Sequence, residues 1–104
     1  MHQFDVLANP FPASRERQPF LVALQSDLLA RTLDTIVVAP LERAESGAFA
    51  DRLNPRVTVE GAPFALITQE IVTVRQSALK NSVGSLAAER DKIIAALDLL
   101  FTGF

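Results

Sequence analysis

The chain has 104 residues, about half of them apolar and only four of them glycine, which suits a single packed domain over 1–104 and argues against disorder. It contains no cysteine, which excludes a disulfide framework and thiolate metal sites and fits a reducing, cytoplasmic setting. Ten Lys and Arg stand against twelve Asp and Glu with no basic cluster, so phosphate neutralisation is a poor basis for its activity and a protein surface is the better target.

In chain order, Gln3 to Ala8 alternates and predicts a first strand, with Phe4 and Val6 on one side. Asn9 to Arg17 carries two prolines and three charges and predicts an exposed loop, with Phe11 as a lid over the nearby core. Phe20 to Leu24 is a continuous apolar run that fits a strand buried on both faces. Gln25-Ser26-Asp27 breaks it, and Leu28 and Leu29 follow in the turn. Asp34 to Ala39 predicts a third, β-branched strand closed by Pro40.

Leu41 to Asn54 reads as an irregular connection or a short helical turn at the surface. Arg56 to Ile67 predicts a hairpin around Glu60-Gly61, with Pro63 at a sheet edge or a bulge. Ile71 to Val74 is a fifth short strand, and Arg75 to Gly84 is polar and rich in turn formers. Ser85 to Phe101 predicts a long helix, capped by Ser82 or Ser85, whose Leu86, Ile93, Ile94, Leu97, Leu100 and Phe101 form one apolar stripe. Phe101 is assigned to the core by that stripe. Gly103 suits a left-handed helix stop, and Phe104 then gives an uncharged aromatic tail that is either packed on the body or free for a partner. The economical answer is an α+β fold, mainly β, with a carboxy-terminal helix.

Candidate catalytic groups are scarce. The one histidine, His2, reads as a surface residue at the chain's beginning, which removes the usual Ser-His and Cys-His arrangements. The acids are scattered singly rather than clustered as metal ligands, and the four glycines stand too far apart to cradle a phosphate. Ser26-Asp27 lacks a third group and an oxyanion donor set, so it reads as a turn. No apolar run approaches the roughly 18 residues of a membrane span, and the opening residues lack the basic start of a secretion signal. No catalytic residue, metal or cofactor is expected.

The order and spacing of these motifs resemble the CcdB family of plasmid-maintenance toxins across nearly the whole chain. The likeness rests on Gln3-Phe4, on Phe20-Leu21-Val22-Ala23-Leu24-Gln25-Ser26-Asp27-Leu28-Leu29, on Val37-Val38-Ala39-Pro40-Leu41, and on the helix ending in Phe101-Thr102-Gly103-Phe104. The Leu-Gln-Ser-Asp-Leu-Leu block is its specific part. The resemblance implies an SH3-like small barrel of the CcdB/MazF kind with a carboxy-terminal helix, a homodimer, and no enzymatic step. It further implies binding to the DNA gyrase A subunit, trapping of the enzyme on cut DNA, and release by a CcdA-like antitoxin.

Carried over by position, the gyrase-binding residues implied are Leu28, Leu29, Asp98, Thr102, Gly103 and Phe104. The family's best-known members carry tryptophan where this chain has Thr102, and Asp98 replaces an asparagine-like position. Threonine cannot stack on an arginine, a loss of about 0.5–2 kcal/mol per subunit. Phe104, where the family often has isoleucine, offers more apolar surface. Two other readings stand beside this one: a MazF-like ribonuclease toxin, for which no suitable histidine is present, and a non-toxic dimer that retains antitoxin binding only.

Overall fold

The apolar runs of the sequence become strands in the computed structural model, which describes residues 1–103. They are β1 (Asp5–Ala8), β2 (Phe20–Ala23), β3 (Thr35–Arg43), β4 (Arg56–Val59), β5 (Ala62–Leu66), β6 (Val72–Arg75) and β7 (Ser82–Ser85), followed by the helix α1 (Arg90–Thr102). Neighbours run in the order β4-β5-β3-β2-β1-β7, with β6 added on β3, and every pairing is antiparallel. This is the mainly β small-barrel architecture with a carboxy-terminal helix that the sequence leads one to expect.

The first strand begins at Asp5 rather than Gln3, because Phe4 adopts a left-handed backbone with φ of 69°. That conformation is disfavoured for a bulky side chain. It is held by burial of the ring, by a hydrogen bond from the Phe4 amide to the Ala23 carbonyl (2.6 Å), and by the Leu86 amide donating to the Phe4 carbonyl (2.8 Å).

The third strand does not stop at Pro40 but continues to Arg43. The prolyl nitrogen faces the place where β3 changes partner, from β6 at Thr35–Val38 to β5 at Leu41–Arg43, so no ladder bond is lost. The Pro40 carbonyl on the same edge accepts from the Ile67 amide at 2.9 Å. The hairpin expected around Glu60-Gly61 joins β4 to β5, with both turn residues at positive φ (51° and 79°) as in a type I′ turn. Pro63 lies beyond the end of the β3 pairing, on a locally open edge.

A seventh strand, β7, pairs with β1 where only turns were expected. All four of its residues are exposed, so its sequence, Ser-Val-Gly-Ser, carries no apolar alternation to betray it. The helix is shorter than the Ser85–Phe101 stretch: residues 87–89 form a 3-10 turn and α1 starts at Arg90. Neither Ser82 nor Ser85 caps it: Leu86 precedes the 3-10 turn and Glu89 precedes α1, each without a side-chain cap, while Ser85 Oγ accepts from the Ala87 amide at 3.1 Å one residue earlier.

Alternation places two cores on the two faces of the sheet. Val6, Val22, Leu41, Val57, Val59, Phe64 and Leu66 meet Ile93 of α1 on one face. On the other, Leu7, Leu21, Ala23, Ile36 and Val38 pack beneath Val74 and Leu79. β2 therefore sits at the centre with buried side chains on both sides, as its unbroken apolar run requires. Ile93 and Ala96 are the fully buried residues of α1 and fix it on the barrel.

Candidate functional site

Two surface features carry exposed apolar side chains on rigid supports. The first is the turn after β2. Ser26 caps a 3-10 turn over Asp27–Leu29, its Oγ accepting from the Leu28 amide at 3.2 Å. Asp27 reaches back to the start of the chain, where its Oδ1 accepts from the Gln3 amide at 2.6 Å and its Oδ2 lies 3.6 Å from His2 Nδ1. Gln3 in turn donates from its side chain to the Leu24 carbonyl (3.0 Å). Beyond the turn, the Thr32 hydroxyl donates to the Leu29 carbonyl (3.2 Å), and Gln76 Nε2 donates to the Ala30 and Leu33 carbonyls (3.0 and 2.7 Å).

These polar side chains satisfy a backbone that has no ladder partner, and they leave the leucines outside. Leu28 is 87% exposed, Leu29 45% and Leu33 43%. Two leucines side by side on a braced turn form a knob rather than a core plug. The Gln-Ser-Asp sequence that precedes them is thus the support of the knob, and Ser26 and Asp27 have capping roles.

The second feature is the end of α1. Gly103 takes the left-handed conformation (φ 82°) and its amide donates to the Leu99 carbonyl at 3.1 Å, closing the helix as expected of a glycine in that place. The Thr102 hydroxyl donates to the Asp98 carbonyl at 2.7 Å, so it is engaged within the helix. Asp98, Thr102 and Gly103 are exposed. Phe104 lies outside the described residues.

Phe101 corrects the sequence expectation. It is 68% exposed, not core. The inward face of α1 runs through Ile93 and Ala96, whereas Ile94 and Leu97 flank it and are only partly buried; Phe101 continues that flank past the body. It is exposed on the same last turns of the helix as Asp98 and Thr102, which the resemblance implies as binding residues. A position-by-position comparison of Ile94, Leu97 and Phe101 with the inner Ile93 and Ala96 is the signal that separates flank from core.

The helix end is also electrically distinct. Its last turn holds no basic residue, and the unpaired carbonyls of a helix carboxy-terminus carry about half a negative charge. Asp98 adds a full one. The tip is therefore an aromatic side chain set in a negative field. Within the chain the knob and the tip stand on separate supports: the knob is tied to Gln3 and Gln76, the tip to the core through Ile93, and among the described residues no hydrogen bond or ion pair joins them. Among the described residues, no three His, Asp or Glu side chains converge as a metal site would need, and no helix is long and apolar enough to cross a membrane.

A family model described as CcdB protein matches residues 3–103. The chain belongs to the CcdB family. Membership implies a toxin of a toxin–antitoxin system, and the match includes both the Leu28-Leu29 knob and the helix tip through Gly103. No curated protein matches the sequence.

Among solved structures, the chain is similar to the Mycobacterium tuberculosis toxin MazF-mt6, with a TM-score of 0.70 at 14% identity and coverage of 96% of each chain. It is similar also to an endoribonuclease in complex with its cognate antitoxin from a mycobacterial species, with a TM-score of 0.69 at 13% identity, covering 94% of this chain and 91% of that one. A third, described as the crystal structure of an Mtb toxin, gives a TM-score of 0.67 at 18% identity over 81% of this chain and 92% of that one. At such identities the likeness is one of fold.

Proposed function

We propose that this CcdB-family chain is a gyrase-directed toxin: a homodimer in the cytoplasm that inserts its paired helix tips into the DNA gyrase A subunit and holds the enzyme on cleaved DNA. The observation that carries the reading is the tip itself, where an exposed Phe101 stands in a negative field made by the helix end and Asp98. An apolar, electronegative plug of this kind complements an arginine-lined groove. The Leu28-Leu29 knob supplies a second apolar contact, and Asp98, Thr102, Gly103 and Phe104 complete the set of gyrase-binding residues. No cofactor or metal enters. A CcdA-like antitoxin is the partner that removes the toxin, in keeping with the structural neighbour solved with its cognate antitoxin.

Removal of Gly103 and Phe104 tests this reading. The shortened protein is expected to lose inhibition of gyrase supercoiling while its thermal midpoint stays within a few degrees of the parent, because terminal residues contribute little to folding and Gly103 donates one backbone hydrogen bond, to Leu99. Full inhibition by the shortened protein would remove the tip from the mechanism.

A second reading, a ribonuclease toxin, has one observation in its favour besides the shared architecture. Arg17 Nε lies 3.2 Å from Glu42 and its Nη2 3.7 Å from Glu70, while Gln18 Nε2 donates to both carboxylates at 3.0 and 2.9 Å. Two carboxylates and a guanidinium at one place are the raw material of acid–base work on a phosphodiester. Incubation with RNA alone separates the readings: the gyrase reading expects intact RNA, and cleavage that Glu70→Gln abolishes would replace it.

A further inference from the structure

On the flank of α1 opposite Phe101, about half a turn around the helix from it, lies a depression of about 400 Å³ lined by Asp51, Arg52, Pro55, Arg56, Lys92 and Ala95. Its walls are fixed. Buried Asn54 clamps the loop before β4: its Oδ1 accepts from the Ala50 amide (3.1 Å), and its Nδ2 donates to the Leu66 carbonyl (3.0 Å) and to Gln69 Oε1 (2.7 Å). Pro55 follows directly. The Arg56 guanidinium lies 5.1 Å over the Phe49 ring and donates to the Asn54 carbonyl. Lys92 Nζ donates to the Arg56 carbonyl at 2.9 Å and pairs with Glu89 at 2.8 Å.

Two cations are thus held in place at the rim, and Arg52 is a third. Glu89 offsets the charge of Lys92, whereas Asp51 meets Arg56 only at 3.8 Å with its side chain 98% exposed and neutralises little, so Arg52 and Arg56 carry the excess positive charge. This concentration of positive charge occurs in a chain whose net charge is −2. The floor is aliphatic, formed by Pro55 and Ala95, and the volume is within the range of ligand-binding clefts.

We infer that this depression docks an acidic peptide segment of a partner protein, with one aliphatic side chain on the Pro55–Ala95 floor and flanking carboxylates on Arg52 and Arg56. Charge complementarity selects the carboxylates, and the aliphatic floor selects a peptide over RNA, whose bases need an open aromatic face on which to stack. The pocket is separate from the knob and the tip, so its occupancy and gyrase inhibition are independent measurements.

The experiment titrates the isotope-labelled full chain with an acetylated octapeptide of alternating glutamate and leucine, with its glutamine counterpart, and with an oligouridylate octamer, reading amide shifts and the Kd. The acidic peptide is expected to shift the amides of Arg52, Arg56, Lys92 and Ala95 saturably, and the glutamine peptide to bind about tenfold more weakly, as the loss of two solvent-accessible ion pairs dictates. Ala95→Glu, at an exposed helical position, and Arg52→Gln are each expected to weaken the acidic peptide with the remaining amide spectrum retained. Equal affinity for the glutamine peptide, shifts centred elsewhere, absence of saturation, or displacement of these amides by the oligouridylate alone would overturn the assignment.

Discussion

Leu28 presents nearly its whole side chain to solvent on a turn in which Ser26, Asp27 and Thr32 are all engaged in hydrogen bonds. Phe101 presents about two-thirds of its surface at a helix end closed by Gly103. Apolar side chains held out in this way contribute little to folding, so their removal separates function from stability. Phe101→Ala is expected to change unfolding free energy by no more than about 0.5 kcal/mol, whereas Ile93→Ala, at a fully buried position on the same helix, is expected to lose about 2–5 kcal/mol; urea denaturation of the two variants makes the comparison. A large loss from Phe101→Ala would return that ring to the core. Thr68 offers the converse case: it is fully buried and its Oγ1 has no hydrogen-bond partner among the described residues. Thr68→Val keeps the shape and removes the unpaired hydroxyl, and a gain of about 1 kcal/mol is expected in the same assay.

At the scale of elements, most of the architecture is legible because alternation and continuous apolar runs report burial directly. β2, the hairpin β4–β5 and β6 follow from their apolar residues and from Glu60-Gly61. What escaped lacks such a signal. β7 is a fully exposed strand recruited by β1, so pairing rather than burial defines it. The passage of β3 through Pro40 depends on a change of partner along one edge, which local sequence does not encode. Phe101 followed the helical period but lay on the flank, past the body that the period presupposes. The knob and the helix tip were legible as positions through family resemblance. Their separate supports, and the bracing of Leu28 by Asp27 and Gln3, required the fold. The turn itself yields a prediction: Glu60 holds φ of 51°, a conformation easier for asparagine, so Glu60→Asn is expected to raise stability by about 0.5–1 kcal/mol, visible as a higher Tm. An unchanged or lowered Tm would mean that the Glu60 side chain makes a compensating contribution.

At the scale of the molecule, a mainly β barrel of the CcdB family carries an apolar knob on one turn and an apolar, negatively polarised tip on its only α-helix among the described residues. Among the described residues of the chain they are unlinked, and the proposed twofold assembly would make one composite surface from two tips and two knobs. The measurement that tests this most directly is gyrase-mediated cleavage of supercoiled plasmid, quenched with denaturant, in the presence of the parent protein, Leu28→Asp and Phe101→Ala at equal concentrations. Linear DNA is expected to accumulate with the parent and to fall to background with both variants, each confirmed as folded. Equal linear DNA with all three proteins, or none with the parent, would contradict the account.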